Sequence, residues 1–144
     1  MVSQRTVIVL VAALSVCSTG PAVAQNNKFK ARLTPVPVEA ATVAAVTGSG
    51  SITAVLTGTS LVVSGTFEGL QTPATIARIH HGLKGIRGPV VFDLTVTKTV
   101  SGMISGTATL TKEQVEAVRS GKLYIQIHSE KQPDGNLWGW LLPQ

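Results

Sequence analysis

The sequence is a succession of short β-branched runs, each bounded by glycine, serine or proline. Residues 48–57 and 61–68 carry apolar side chains at alternate positions, such as Ile52, Ala54 and Leu56, and a Gly-Thr-Ser turn separates them. Because successive side chains of a strand point to opposite faces, this alternation is typical of half-buried strands. We expect further strands at residues 28–33, 75–81, 89–97, 102–110, 122–129 and 136–142. This spacing predicts an all-β, antiparallel sandwich or barrel.

One segment has a helical pattern instead. Thr111 is a favourable N-cap, Gln114 occupies the capping-box position, and Val115 and Val118 share a face before Gly121. We therefore expect one short helix between the later strands.

Residues 1–24 have the pattern of a cleavable signal peptide. Arg5 precedes an apolar run at residues 7–16, which is too short to cross a bilayer, and Ala22-Val23-Ala24 is a small-x-small cleavage site. A lipoprotein signal at Cys17 is disfavoured, because Val16 is too large for the position before the cysteine. We predict a secreted or periplasmic domain at residues 25–144, with no transmembrane segment.

The predicted domain contains no cysteine, since the one cysteine of the chain is Cys17. Its stability must come from a packed apolar core rather than from disulfides. Without Arg5, 11 basic and 7 acidic side chains remain, a net charge of +4. These charges are dispersed and few aromatic residues accompany them, which argues against nucleic-acid binding.

Three stretches carry a family resemblance. Residues 77–91 read Ala-Arg-Ile-His-His-Gly-Leu-Lys-Gly-Ile-Arg-Gly-Pro-Val-Val, residues 124–129 read Tyr-Ile-Gln-Ile-His-Ser, and residues 133–140 read Pro-Asp-Gly-Asn-Leu-Trp-Gly-Trp. Together they resemble the CHRD domain, which is named after chordin. The resemblance implies a Greek-key, immunoglobulin-like sandwich or barrel without established enzymatic activity. Two departures are notable: Arg78 replaces the first histidine of the family pattern, and Trp138 and Trp140 replace an arginine and a glutamine.

The histidines are the residues with the most chemical potential. His80 and His81 are adjacent on a predicted strand, so they point to opposite faces and cannot share a ligand without a bulge. His80 and His128 are the plausible pair, if their strands are neighbours. They are the alternative metal site, for copper or zinc, although two ligands are few and Arg78 on the same face repels a cation. The favoured interpretation is that both histidines bond to loop carbonyls, with no cofactor.

Enzymatic activity is not indicated. No Gly-x-Ser-x-Gly motif and no cysteine nucleophile occurs in residues 25–144. The three histidines are too few for the two metals of copper–zinc superoxide dismutase, which the chain resembles only superficially.

The tryptophans and the glycine-rich loop complete the candidate surface. Trp138 and Trp140 share a strand face opposite Leu137 and Leu141, so they are either exposed for binding or covered by the N-terminal segment. The loop at residues 82–89 is either an anion cradle or, preferably, a tight turn.

We predict a non-enzymatic binding module for an unknown protein or glycan partner, or alternatively a metal-binding protein. A purely structural envelope component is a third possibility. The candidate binding residues are Arg78, His80, Lys84, Arg87, His128, Trp138 and Trp140.

Overall fold

The computed structural model describes residues 25–144, so the predicted signal peptide and Cys17 lie outside the described residues. Nine strands and one helix follow one another along the chain. They are β1 (Lys28–Pro35), β2 (Ser49–Thr57), β3 (Ser60–Glu68), β4 (Ala74–His81), β5 (Val90–Val96), β6 (Gly102–Thr109), α1 (Lys112–Arg119), β7 (Leu123–Ser129), β8 (Gln132–Trp140) and β9 (Leu142–Pro143). A single 3₁₀ turn, Val43–Ala45, lies between β1 and β2.

The sheet is a closed barrel of eight antiparallel strands. Its order is β2-β3-β6-β5-β4-β7-β8-β1, and β1 pairs back onto β2. The two-residue β9 pairs with β1 next to the end of β8. The all-β, antiparallel prediction with one short helix is thus confirmed. The immunoglobulin-like, Greek-key sandwich is not, because one sheet closes on itself rather than forming two facing sheets.

The core fills the barrel with the alternating apolar residues of each strand. Phe29 in β1, Ile52 in β2 and Leu61 in β3 are fully buried, while their chain neighbours face outward. This alternation is the one that the sequence predicted. Among the described strands, β5 joins β6 and β1 joins β8 through two residue pairs each, and these short junctions close the barrel.

The helix has the predicted cap. The Thr111 hydroxyl accepts a hydrogen bond from the Gln114 amide, and the Gln114 side chain accepts one from the Thr111 amide. Ala117 and Val118 bury the inner face of α1. In the described part of the chain, no helix is long and apolar enough to cross a membrane.

The β8 strand begins earlier than the sequence predicts, at Gln132 rather than at residue 136. Gln132 pairs with Ser129 across a tight connection, so the hairpin continues through Pro133. The pattern of Asp134, Gly135 and Asn136 indicates a turn, but β8 continues through this segment across a bulge, since its register with β7 shifts between Ile127 and Ser129.

A close approach of strands requires glycine at position 65. A Cβ there would lie 2.3 Å from the carbonyl oxygen of Ser51 and 2.8 Å from the Cα of Ile52, both of them backbone atoms. We expect Gly65→Ala to lower the free energy of unfolding by about 1–3 kcal/mol, since the strands must separate. Urea denaturation measures this change.

Gly106→Ala is the matched control. The nearest atom to its added methyl group is the end of the Leu94 side chain, which can move. A loss of stability at Gly106 equal to that at Gly65 would contradict the backbone explanation.

Candidate functional site

Five of the seven candidate residues lie on the outer face of three neighbouring strands, and Lys84 and Arg87 lie in the loop after β4. In β4, Ala77 and Ile79 point into the core, so Arg78 and His80 point outward. The register pairs β4 with β7 and β7 with β8, which places their outward side chains side by side. These outward side chains are Arg78, His80, Tyr124, Gln126, His128, Trp138 and Trp140.

An aromatic cluster forms a second hydrophobic layer on this outer face. Tyr124 lies at its centre, with ring centroids 4.7 Å from Trp140 and 6.0 Å from Trp138. Val36 and Val46, from the segment between β1 and β2, cover the cluster. Each tryptophan is only 7% exposed. The sequence left two alternatives for the tryptophans, exposed for binding or covered. The structure shows them covered, because the chain after β1 returns over this face. The alternative of exposed tryptophans is therefore wrong.

A buried asparagine, Asn136, connects the segment between β1 and β2 to the barrel by hydrogen bonds. The side chain of Asn136 accepts a hydrogen bond from the Ser129 hydroxyl at 2.9 Å and donates one to the Thr47 carbonyl at 2.9 Å. Its own carbonyl accepts from the Val36 amide at 3.0 Å. Sequence reasoning read Asn136 as a strand start after a turn and gave it no such role.

Hydrogen bonds from the aromatic face also fix the glycine-rich loop. The Gly88 amide donates to Tyr124 Oη at 3.0 Å, and Trp140 Nε1 donates to the Gly82 carbonyl at 2.9 Å. A Cβ on Gly88 would overlap the carbonyl oxygen of His81, so only glycine fits. These contacts support the tight-turn interpretation of the loop.

Both outward histidines are held by backbone carbonyls, as the sequence favoured. His80 Nδ1 lies 2.9 Å from the Gly88 oxygen, and His128 Nδ1 lies 2.7 Å from the Pro133 oxygen. A carbonyl only accepts, so each Nδ1 carries a proton, and each Nε2 is left as an acceptor in the neutral ring. Among the described residues neither buried Nε2 has a hydrogen-bond partner.

The predicted pairing of His80 with His128 occurs in the structure. Their ring centroids are 6.4 Å apart, and the two residues are 7% and 8% exposed. His80 also stacks on Tyr124, at 4.9 Å between centroids. His81 is exposed at the end of β4, although strict alternation would place it on the core face with Ala77 and Ile79; the register of β4 with β5 shifts between Ile79 and His80.

The two arginines beside the histidines are engaged by oxygen atoms. Arg78 Nε donates to Asp93 Oδ1 at 2.8 Å, which offsets its charge. Arg87 donates to the Asp134 carbonyl, which also accepts from Gln126 Nε2 at 2.9 Å. In the register, Gln126 lies between Arg78 and Trp138. We call the hollow between these side chains the histidine cleft; it is lined by Arg78, His80, Arg87, Gly88, Tyr124, Gln126, His128, Pro133 and Asp134.

Burial lowers the pKa of His80. The positive charge that His128 can carry, with Arg78 and Arg87, lowers that pKa further, and the Gly88 carbonyl only partly opposes the shift. His80 is therefore a neutral imidazole at pH 7. None of the described residues that line the cleft is Ser, Thr or Cys.

A second concavity, which we call the basic groove, runs along the edge of the tryptophans. Lys30 and Arg32 of β1 form one wall and Lys84 of the loop the other, while Trp138 and Trp140 form the floor. The groove has a volume of about 400 Å³, and none of the described residues that line it is acidic. Lys84 is thus separated from Arg87, which belongs to the histidine cleft.

The sequence profile of the CHRD domain matches residues 29–141, from β1 to the end of β8. The chain belongs to the CHRD domain family. Comparison with curated proteins and with solved structures gave no match. CHRD domains are generally non-catalytic modules.

The variant Tyr124→Phe tests whether the aromatic cluster fixes the glycine-rich loop at residues 82–89 of this CHRD domain. The change removes the acceptor for the part-buried Gly88 amide. We expect a loss of about 1–3 kcal/mol in the free energy of unfolding and faster amide exchange at Gly88. Denaturation and hydrogen-exchange NMR measure the two effects. Unchanged exchange at Gly88 would contradict the assigned bond.

The titration of His80 gives a second prediction. Because its pKa is lowered on folding, the native chain binds fewer protons than the unfolded chain, so stability from this residue is present at neutral pH and lost as the pH falls below about 6.5. NMR titration in a chelator should place the His80 midpoint below 6.5. His80→Asn should weaken the pH dependence of stability. A midpoint at or above the ordinary value would refute the assignment.

Proposed function

We propose that this CHRD domain is a non-enzymatic binding module that acts outside the cytoplasm, and that its basic groove binds an anionic glycan. The observation that carries the proposal is the convergence of three cationic side chains on one groove, whose lining within residues 25–144 contains no acidic residue. The predicted signal peptide at residues 1–24 supports the location.

The backbone sets the spacing of the positive charges. Lys30 and Arg32 are two residues apart on the outer face of β1, so their Cα atoms are about 6.5 Å apart along the strand. Lys84 faces them across the tryptophan floor from a loop that the aromatic cluster anchors. Such a groove suits a linear chain with repeated negative groups.

The size of the groove favours a glycan over a folded protein. A typical protein partner buries about 800 Å² on each side, with an apolar centre to the interface. Nine residues line this groove, and the tryptophans contribute only their edges because each is 7% exposed. A carboxylated or sulfated saccharide needs only charge pairing and a narrow apolar floor.

Three substitutions test the groove together: Lys30→Ala, Arg32→Ala and Lys84→Ala. If each surface ion pair contributes about 0.5–1 kcal/mol, the triple variant should bind a sulfated or uronic-acid polysaccharide about tenfold to a hundredfold more weakly. Calorimetry at two salt concentrations measures the affinity, which should fall with salt in the unmodified protein.

The matched control removes three lysines outside the groove, Lys98, Lys112 and Lys131, with the same change in net charge. It should retain most of the affinity, and an uncharged polysaccharide should not bind. Equal losses in both triple variants, or no binding by the unmodified protein, would refute a specific site.

Metal binding at the histidine cleft is the second candidate function. The observation that favours it is the pair of buried Nε2 atoms without partners among the described residues. The repulsion expected from Arg78 is reduced, since Asp93 accepts from that arginine at 2.8 Å.

A further inference from the structure

We infer that the ion suited to the histidine cleft is monovalent copper, Cu(I), bound between the Nε2 atoms of His80 and His128. The inference rests on the second candidate function, metal binding, and adds the identity and coordination number of the ion. It is independent of the basic groove.

The hydrogen bonds of the two imidazoles already have the arrangement found around a metal ion. Metal-binding histidines usually donate the other ring N–H to a carbonyl or carboxylate, which fixes the tautomer and the ring orientation. Gly88 and Pro133 provide those carbonyls here. Two rings held in this way leave two buried acceptor atoms that need a cation or a donor.

The separation of the rings is close to that of two imidazoles on one ion. With zinc–nitrogen bonds of about 2.0–2.1 Å and ring nitrogens about 1.1 Å from the ring centre, the centroids would be at most about 6.4 Å apart. The centroids of His80 and His128 are 6.4 Å apart. The bonds of two-coordinate Cu(I) to nitrogen are shorter than those of zinc, so the rings must move slightly closer for the two nitrogens to lie on opposite sides of one Cu(I) ion.

The number of ligands excludes the usual zinc geometries. Structural zinc takes four protein ligands and catalytic zinc takes three. Across residues 25–144, no group of three or more His, Cys, Asp and Glu side chains is placed to hold a metal. Cu(I) has a filled d shell and is stable with two nitrogen donors in line, so it needs no third ligand.

The charge of the cleft also favours a monovalent ion. Arg78 and Arg87 both line it, and their repulsion of a cation grows with the charge of the ion. Asp93 offsets Arg78, and the Asp134 carbonyl accepts from Arg87. A monovalent ion therefore meets a smaller barrier than Zn²⁺ or Cu²⁺.

The test is anaerobic titration of the untagged, full-length protein with Cu(I), in competition with a chromophoric Cu(I) chelator, and in parallel with Zn²⁺. All variants carry Cys17→Ser, because the one thiol of the chain would itself bind copper. We expect one Cu(I) per chain and weaker binding of Zn²⁺. NMR of the copper-loaded protein should show changes at Nε2 of both histidines, with the Nδ1 protons retained.

His80→Asn and His128→Asn are the site variants, since asparagine keeps an N–H near the position of Nδ1 and removes Nε2. Each should weaken Cu(I) binding at least about tenfold. His81→Asn is the matched control, because His81 is exposed and does not line the cleft, and it should bind as the parent does. Thermal melting confirms that each variant is folded.

The outcomes separate the two levels of the proposal. Zn²⁺ binding as tight as Cu(I), and lost in both site variants, would overturn the choice of ion while metal binding stands. The absence of binding by either ion, or binding that neither site variant weakens, would overturn both.

Discussion

The pairing of β1 along both of its edges is the constraint on which the rest of the structure depends. Lys28 to Leu33 pair with β2 on one side, and Thr34 and Pro35 pair with β8 on the other. This pairing closes the barrel, and it also directs the chain after Pro35 across the outside of β8. The cover of the aromatic cluster and the Lys30/Arg32 wall of the basic groove both follow from the position of this strand.

The outer aromatic layer buries one side of the barrel on both faces of its sheet. Every residue of β7 is buried, because the barrel core lies on one face and the tyrosine–tryptophan cluster on the other. The loop at residues 82–89 is bonded to this layer through Tyr124 and Trp140. Both candidate sites use that loop, since Lys84 lines the groove and Gly88 holds His80. Fixed positions for these groups lower the entropy cost of binding a ligand.

The sequence predicted what depends on local pattern. Alternation in β2 and β3, the Thr111 cap and the shared face of His80 and His128 all follow from strand or helix geometry, and all are present. The partners of Arg78 and Asn136 were not predictable, because Asp93 and Thr47 reach them through strand registers and a chain return that periodicity does not encode. The same reason left the sandwich and the barrel unresolved. Residues 137–141 are apolar on both faces, which indicates burial on both sides but not which segment provides the cover.

The departure at position 78 explains why two imidazoles face the cleft here. The CHRD family pattern has a histidine at this position. Position 78 shares its face with His80 and pairs with Gln126, so it lies between His80 and His128 along the sheet. A histidine there would present a third ring nitrogen to the same cleft. Arg78 instead donates a hydrogen bond to Asp93 on β5. It adds a positive charge to the cleft and supplies no nitrogen that could bind a metal ion. The substitution therefore disfavours ions that require three or four ligands, and it leaves an arrangement suited to a monovalent ion with two.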